Sequence, residues 1–140
     1  MIFEKSCGAI VFTVENGEIK YLLVQEMSGF HSFPKGHMEN NETEEETSLR
    51  EIKEETDLEV ELYTDFRVAE RDNPAEKPGV TKEVIYFLAK YTDAKPCVVR
   101  PSEVRALKSL RLKEALDILE HDSKKELLNQ ADDYIKKNYL

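Results

Sequence analysis

The chain has 140 residues, of which 29 are acidic and 20 basic, and a formal net charge of −9. One domain with its own core suits that length, and 40% hydrophobic residues with six Tyr and six Phe exclude a disordered chain. No apolar run approaches the ~18 residues of a membrane span, and two cysteines, Cys7 and Cys97, cannot build a disulfide framework.

Ser6 to Val14 is predicted as a buried strand, because Ala9, Ile10, Val11, Phe12 and Val14 form a nearly continuous apolar run. Asn16-Gly17 signals a tight turn into a returning strand, Ile19 to Met27. Ser28 to Asn41 has no period and reads as a long loop. Thr43 to Thr56 is predicted helical, with Thr43 and Glu46 spaced as a capping box. Strands are expected at Leu58 to Ala69 and Val80 to Tyr91, with loops at Glu70 to Gly79 and Thr92 to Pro101. Two amphipathic helices close the chain, Leu112 to Leu119 and Lys124 to Tyr139. The expected class is α+β, a single domain (1–140) in which helices pack against a mixed sheet.

The charge is local. Residues 39–61 hold 11 acids against Arg50 and Lys53, and this stretch alone carries the −9, while the rest of the chain is balanced. Such a balance disfavours a broad basic face for bare nucleic acid. It permits a protein that binds polyanions through metal ions. With Glu51 at zero on the helix, Glu54 falls at about −60° and Glu55 at about +40°, so three carboxylates share one arc. Leu49, Ile52 and Thr56 fall at about 100–160° and form the expected core stripe. Glu51 and Glu55 are a like-charge i,i+4 pair, and Glu54 and Glu55 occupy the last turn, where the helix dipole disfavours anions. A hard divalent cation would relieve both conflicts. Arg50, at i−4 from Glu54, is placed to orient a carboxylate.

Spacing sharpens this reading. Gly36 is followed after five residues by Glu42, and after seven more by Arg50-Glu51-Ile52-Lys53-Glu54-Glu55-Thr56-Asp57-Leu58. This resembles the Nudix box of the Nudix hydrolases. Asp57 stands where the family has Gly, at a helix end that needs positive φ, so a modest stability cost is expected without loss of a ligand. The resemblance implies the Nudix fold, a mixed sheet between helices (α/β/α), and hydrolysis of a nucleoside diphosphate linked to another group. It implies that Glu51, Glu54, Glu55 and the Gly36 carbonyl hold Mg²⁺, with Mn²⁺ as a substitute. Glu54 or Glu51 would act as base, with Arg50 in the catalytic group. Glu42 would hold the loop to the helix through Arg50.

Phe33-Pro34-Lys35-Gly36-His37 is similar to the opening of the box in asymmetrical diadenosine-tetraphosphate hydrolases. Lys82-Glu83-Val84-Ile85-Tyr86-Phe87-Leu88 resembles a strand of that group, and the resemblance implies that Glu103 is an additional metal ligand or an alternative base. Two tryptophans often seen there are absent: His31 stands near one position and Ser109 near the other. Lys35 and Lys82 are candidate phosphate contacts, each weighed against a plain surface lysine. Tyr86 is a candidate to stack on a base, and His31 to stack on a base or contact phosphate. A loop role for His31 and a core role for Tyr86 stay open. The substrate implied is a small nucleotide, cleaved asymmetrically to ATP and AMP. Nucleoside triphosphates, RNA 5′ ends, diphosphoinositols and a non-catalytic binding module remain open. The protein is expected to be cytoplasmic, with Cys7 and Cys97 free and no signal segment at Met-Ile-Phe-Glu-Lys. Neither a membrane nor long nucleic acid is expected as partner, and the chain is expected to be a monomer or weak dimer.

Overall fold

Asn16 and Gly17 both take positive φ, 51° and 81°, which suits the turn of a two-residue hairpin. They fold strand β1 (Ile2–Glu15) back onto β2 (Glu18–Glu26) with Glu15 opposite Glu18. This computed structural model describes residues 2–72 and 78–139. The segment predicted as the 28–41 loop contains two short strands, β3 (His31–Ser32) and β4 (Lys35–His37). Helix α1 (Glu44–Thr56) follows, then β5 (Glu61–Asp72) and β6 (Val80–Lys90). Of the loop expected over 70–79, residues 70–72 continue β5 instead, and residues 73–77 lie outside the described residues. A strand that the pattern does not announce, β7 (Val104–Leu110), precedes α2 (Leu112–Ile118) and α3 (Asp122–Asn138). β7 mixes Arg105 and Lys108 with Ala106 and Leu107, and its stability comes from pairing with β2.

The seven strands form one mixed sheet ordered β3-β2-β1-β6-β5, with β4 added to β1 and β7 to β2. β1 and β6 run parallel, and the other pairs are antiparallel. Alternation along β1 divides the core. Cys7, Ala9 and Val11 point to one face and pack with Ile52, Leu58, Ile85 and Phe87 beneath α1. Ile10 and Phe12 point to the other and pack with Leu128, Ala131 and Ile135 of α3. The α+β class and the layering of helix, mixed sheet and helix follow. No helix among the described residues is long and apolar enough to cross a membrane.

Helix α1 starts as its sequence requires. The Thr43 side chain accepts from the Glu46 N–H at 3.1 Å, and the Glu46 carboxylate accepts from the Thr43 N–H at 2.9 Å. Such caps contribute about 1 kcal/mol. The buried arc consists of Thr47, Ser48, Ile52 and Thr56. Leu49, expected in that stripe, is exposed instead. The arc is rotated toward Ser48, which donates to the Gly8 carbonyl at 3.2 Å. As a result Glu51 and Glu55 border the core rather than open solvent.

At the other end Asp57 caps the helix in the left-handed region, φ 63° and ψ 18°. Its N–H donates to the Lys53 carbonyl at 3.0 Å. A side chain there costs energy that Gly does not, and the exposed Lys53–Asp57 pair at 3.3 Å returns only a few tenths of a kcal/mol. Asp57→Gly is therefore expected to raise stability by about 0.5–1 kcal/mol, or ~2–4 °C in Tm. Thermal unfolding in a chelator checks this, and a lower Tm would contradict it.

Candidate active site

Two glycines let three backbones meet. β4 lies on β1 with Cys7 opposite Gly36 and Gly8 opposite Lys35. A Cβ on Gly8 would stand 2.0 Å from the Pro34 carbonyl oxygen and 2.7 Å from Lys35 Cα. One on Gly36 would stand 2.0 Å from the Glu51 carboxyl carbon. The segment Pro34–Gly36 is therefore clamped between the central strand and α1, and the Glu51 carboxylate rests directly on the Gly36 backbone. The Lys35 N–H donates to Glu55 Oε1 at 3.0 Å, a second tie between loop and helix.

Arg50 organises the outer side of this cluster. Its Nε and Nη2 donate to the two oxygens of Glu42 at 2.6 and 3.0 Å. Nη1 reaches Glu51 at 2.8 Å and Glu54 at 3.2 Å, and Nη2 also donates to the His37 carbonyl at 3.0 Å. The guanidinium, followed by the Glu39 N–H, holds the Glu42 carboxyl down to about 2. Glu51 behaves oppositely: burial raises its pKa, and Arg50 only partly offsets this. Burial likewise pushes Glu55 up to about 7, against the Lys35 N–H and ammonium, with Glu51 and Glu103 adding to the rise.

A cleft of about 380 Å³ opens over this floor, lined by Lys35, Gly36, Glu51, Glu55, Arg100 and Glu103 among others. Arg100 went unnoticed in the sequence, where it is one basic residue before a proline. It is ion-paired with Glu54 at 3.3 Å and donates to Glu103 at 3.4 Å. Among the described residues, the clefts against Glu70–Lys124 and against Tyr91–Lys95 gather no comparable set of carboxylates.

The structure thus brings together Lys35, Gly36, Glu42, Arg50, Glu51, Glu54, Glu55 and Glu103. It separates three other candidates from them. Tyr86 is fully buried, edge-on to Phe33 at a ring separation of 5.3 Å, so it has no free face for a base, and the core reading replaces stacking. Its hydroxyl lacks a hydrogen-bond partner among the described residues, and burial raises its pKa strongly. His31 is 7% exposed with both ring nitrogens engaged, Nδ1 with Glu120 and Nε2 with Lys108, each at 2.9 Å. It ties β3 to β7 and to the α2–α3 junction instead of facing the cleft. Lys82 sits opposite Glu4 and Asp72, and alternation places it on the face of Val84 and Tyr86, away from α1.

Comparison with known proteins identifies the family. The NUDIX domain profile matches residues 5–131. The asymmetrical bis(5'-nucleosyl)-tetraphosphatase of Mus musculus is 30% identical over 139 residues, covering 94% of this chain and 95% of that protein. Its Sus scrofa counterpart is 32% identical over 142 residues with the same coverage. The fold superposes on a crystal structure of a C. elegans Ap4A hydrolase binary complex with a TM-score of 0.86 at 24% identity, over 96% of this chain and 98% of that one. The chain belongs to the NUDIX domain family. It is a Nudix hydrolase, an enzyme that acts on phosphoanhydride bonds.

Two outcomes are expected. Gly36→Ala keeps an allowed backbone but displaces Glu51, and misplacement by about 1 Å costs ~10²-fold in rate. The variant should fold by circular dichroism and lose at least that factor in turnover. Glu55 provides a pH test. Its folded pKa of about 7 lies above the ordinary 4.5, so the folded protein holds this proton more tightly than the unfolded chain. The associated stability is full below about pH 4.5 and is lost as pH rises through 7. In chelator, the Tm advantage of Glu55→Gln over the unmodified protein should grow from pH 5 to pH 8, and a pH-independent difference would contradict the assignment.

Proposed function

We propose that the protein is a Mg²⁺-dependent pyrophosphohydrolase that cleaves diadenosine tetraphosphate asymmetrically to ATP and AMP. The observation that carries this reading is the convergence of Glu51 and Glu55 from α1 and Glu103 from the β6–β7 loop on Gly36, beside Lys35. The relatives named asymmetrical tetraphosphatases align along almost the whole chain, which supports the substrate class.

The residues fit a hard cation. Every donor in the cluster is oxygen, as Mg²⁺ prefers, with Mn²⁺ an acceptable substitute. The bare backbone of Gly36 is open to the Glu51 carboxylate where a side chain would fill the space. Glu51, Glu54, Glu55 and Glu103, with the Gly36 carbonyl, would hold the ion or ions. When bound, the metal supplies charge neutralisation for the polyphosphate and acidifies the attacking water. The chain's own groups do the rest. Glu54 or Glu51 accepts the proton of that water. Arg50, anchored on Glu42, keeps Glu51 and Glu54 in place. Lys35, whose ammonium is 3.7 Å from Glu26 at the rim, meets the phosphates as a point charge. Free thiols at Cys7 and Cys97 are in keeping with a cytoplasmic site of action.

Purified protein with Mg²⁺ is expected to hydrolyse diadenosine tetraphosphate far faster than dATP, dGTP, 5′-triphosphorylated RNA or a diphosphoinositol. Reaction in ¹⁸O-water should label one product only and so report the phosphorus attacked. Glu54→Gln and Glu55→Gln should each lower turnover by at least ~10²-fold. A different preferred substrate would replace the substrate class alone, whereas full activity in both variants would overturn the site.

A further inference from the structure

Two arginines share the site, and they are held in different ways. Arg50 spends Nε and both Nη groups on Glu42, Glu51, Glu54 and a backbone carbonyl, and its side chain is 23% exposed. Arg100 is 43% exposed and makes one single-point contact to Glu54 and one to Glu103. Its backbone is fixed: the Arg100 carbonyl accepts from the N–H groups of Glu103 and Val104, each at 2.9 Å. The guanidinium is thus hung over the cleft from a firm anchor by contacts that are easily broken.

Both of its partners belong to the carboxylate set that would hold the metal. Among the described residues no three acidic, His or Cys side chains stand close enough together to hold an ion as placed. Glu54 is taken by Arg50 and Arg100 at once. A cation that draws Glu54 and Glu103 together must therefore take them from Arg100. Arg100 is then left without an anion at the edge of a cleft that it lines with Lys35. A polyphosphate is the anion such a cleft receives, and the planar guanidinium fork matches phosphate oxygens.

We propose that Arg100 is an exchangeable counter-ion. It neutralises Glu54 and Glu103 while the metal is absent and passes to the substrate polyphosphate when the metal takes those carboxylates. This inference rests on the metal-dependent reading above and adds a substrate-binding residue to it. It also implies that metal and nucleotide bind with positive coupling, because each accepts a partner that the other would leave unpaired.

Mn²⁺ titration without nucleotide, by calorimetry or electron paramagnetic resonance, tests the first half, and steady-state kinetics with diadenosine tetraphosphate tests the second. Arg100→Ala should bind Mn²⁺ about threefold to tenfold more tightly than the unmodified protein, because a part-exposed ion pair no longer competes. Its KM should rise about tenfold or more through loss of a charge-assisted bond, with kcat changed by less than about threefold. Arg100→Lys should recover part of the KM, and Arg100→Gln repeats the comparison if the alanine variant folds poorly. Unchanged or weaker Mn²⁺ binding in Arg100→Ala would overturn the proposal, as would an unchanged KM. If the unmodified protein itself takes up no Mn²⁺, the metal-dependent reading fails instead, and the two failures are told apart.

Discussion

The approach of Gly36 to Glu51 is the contact on which the rest of the site depends. A half-buried carboxylate over a bare backbone is possible only where no Cβ intervenes, and Gly8 allows the same close approach to Pro34 and Lys35 just before it. These glycines are not turn residues here. They thin the chain so that strand, loop and helix can stack within van der Waals distance. The sheet supplies the precision, since Cys7 lies between Ile85 on one side and Gly36 on the other. The oxygens of Glu51 and the carbonyl of Gly36 are thereby referred to the most buried strands of the molecule, not to a surface loop.

That packing creates an electrostatic problem. Glu51 and Glu55 are both drawn toward the core, where burial penalises their charge. The sequence could have placed apolar residues there, and a helix selected for stability alone would carry cations in its last turn. Arg50 offsets part of the cost through a fixed frame: Glu42 holds the guanidinium at two points, the His37 carbonyl holds it at a third, and the remaining donors reach Glu51 and Glu54. Glu42 can serve as anchor because its own carboxylate also accepts from the Glu39 N–H and the Thr47 hydroxyl. The strained carboxylates and their support thus come from one short stretch, which explains why a motif of so few residues is sufficient to specify the centre.

The box was legible for a physical reason. Its chemistry is confined to a single helix and the loop before it, so spacing in sequence translates directly into spacing in space. The capping box at Thr43 and the hairpin at Asn16-Gly17 were legible likewise, being local. What was hidden depends on tertiary partners. The strand Val104–Leu110 has a weak pattern and exists through pairing with Tyr21–Glu26. Tyr86 and Lys82 share strand β6, and alternation turns both to the face beneath α3. His31 looked free in a loop, and only the fold brings Glu120 and Lys108 to its two nitrogens. Leu49 failed as a core residue because the helix is rotated by the Ser48 hydroxyl bond to Gly8, which no helical wheel contains. Arg100 has no local signature at all. It belongs to the site because the β6–β7 loop returns over α1.

The net charge of −9 acquires a narrower meaning from this geometry. Glu44, Glu45 and Glu46 lie in the first turn of α1, where the dipole favours them, and Glu44 is further held by Lys5 and Arg67. These acids stabilise the helix and need no metal. The centre itself sets Glu42, Glu51, Glu54, Glu55 and Glu103 against Arg50, Arg100 and Lys35. In the proposed function, a divalent ion held there would turn a surface that repels phosphate into one that attracts it, and would release Arg100 to the same end. An acidic protein can in this way prefer a polyanion without a basic face, because the positive charge arrives only where carboxylates have been spaced to hold it.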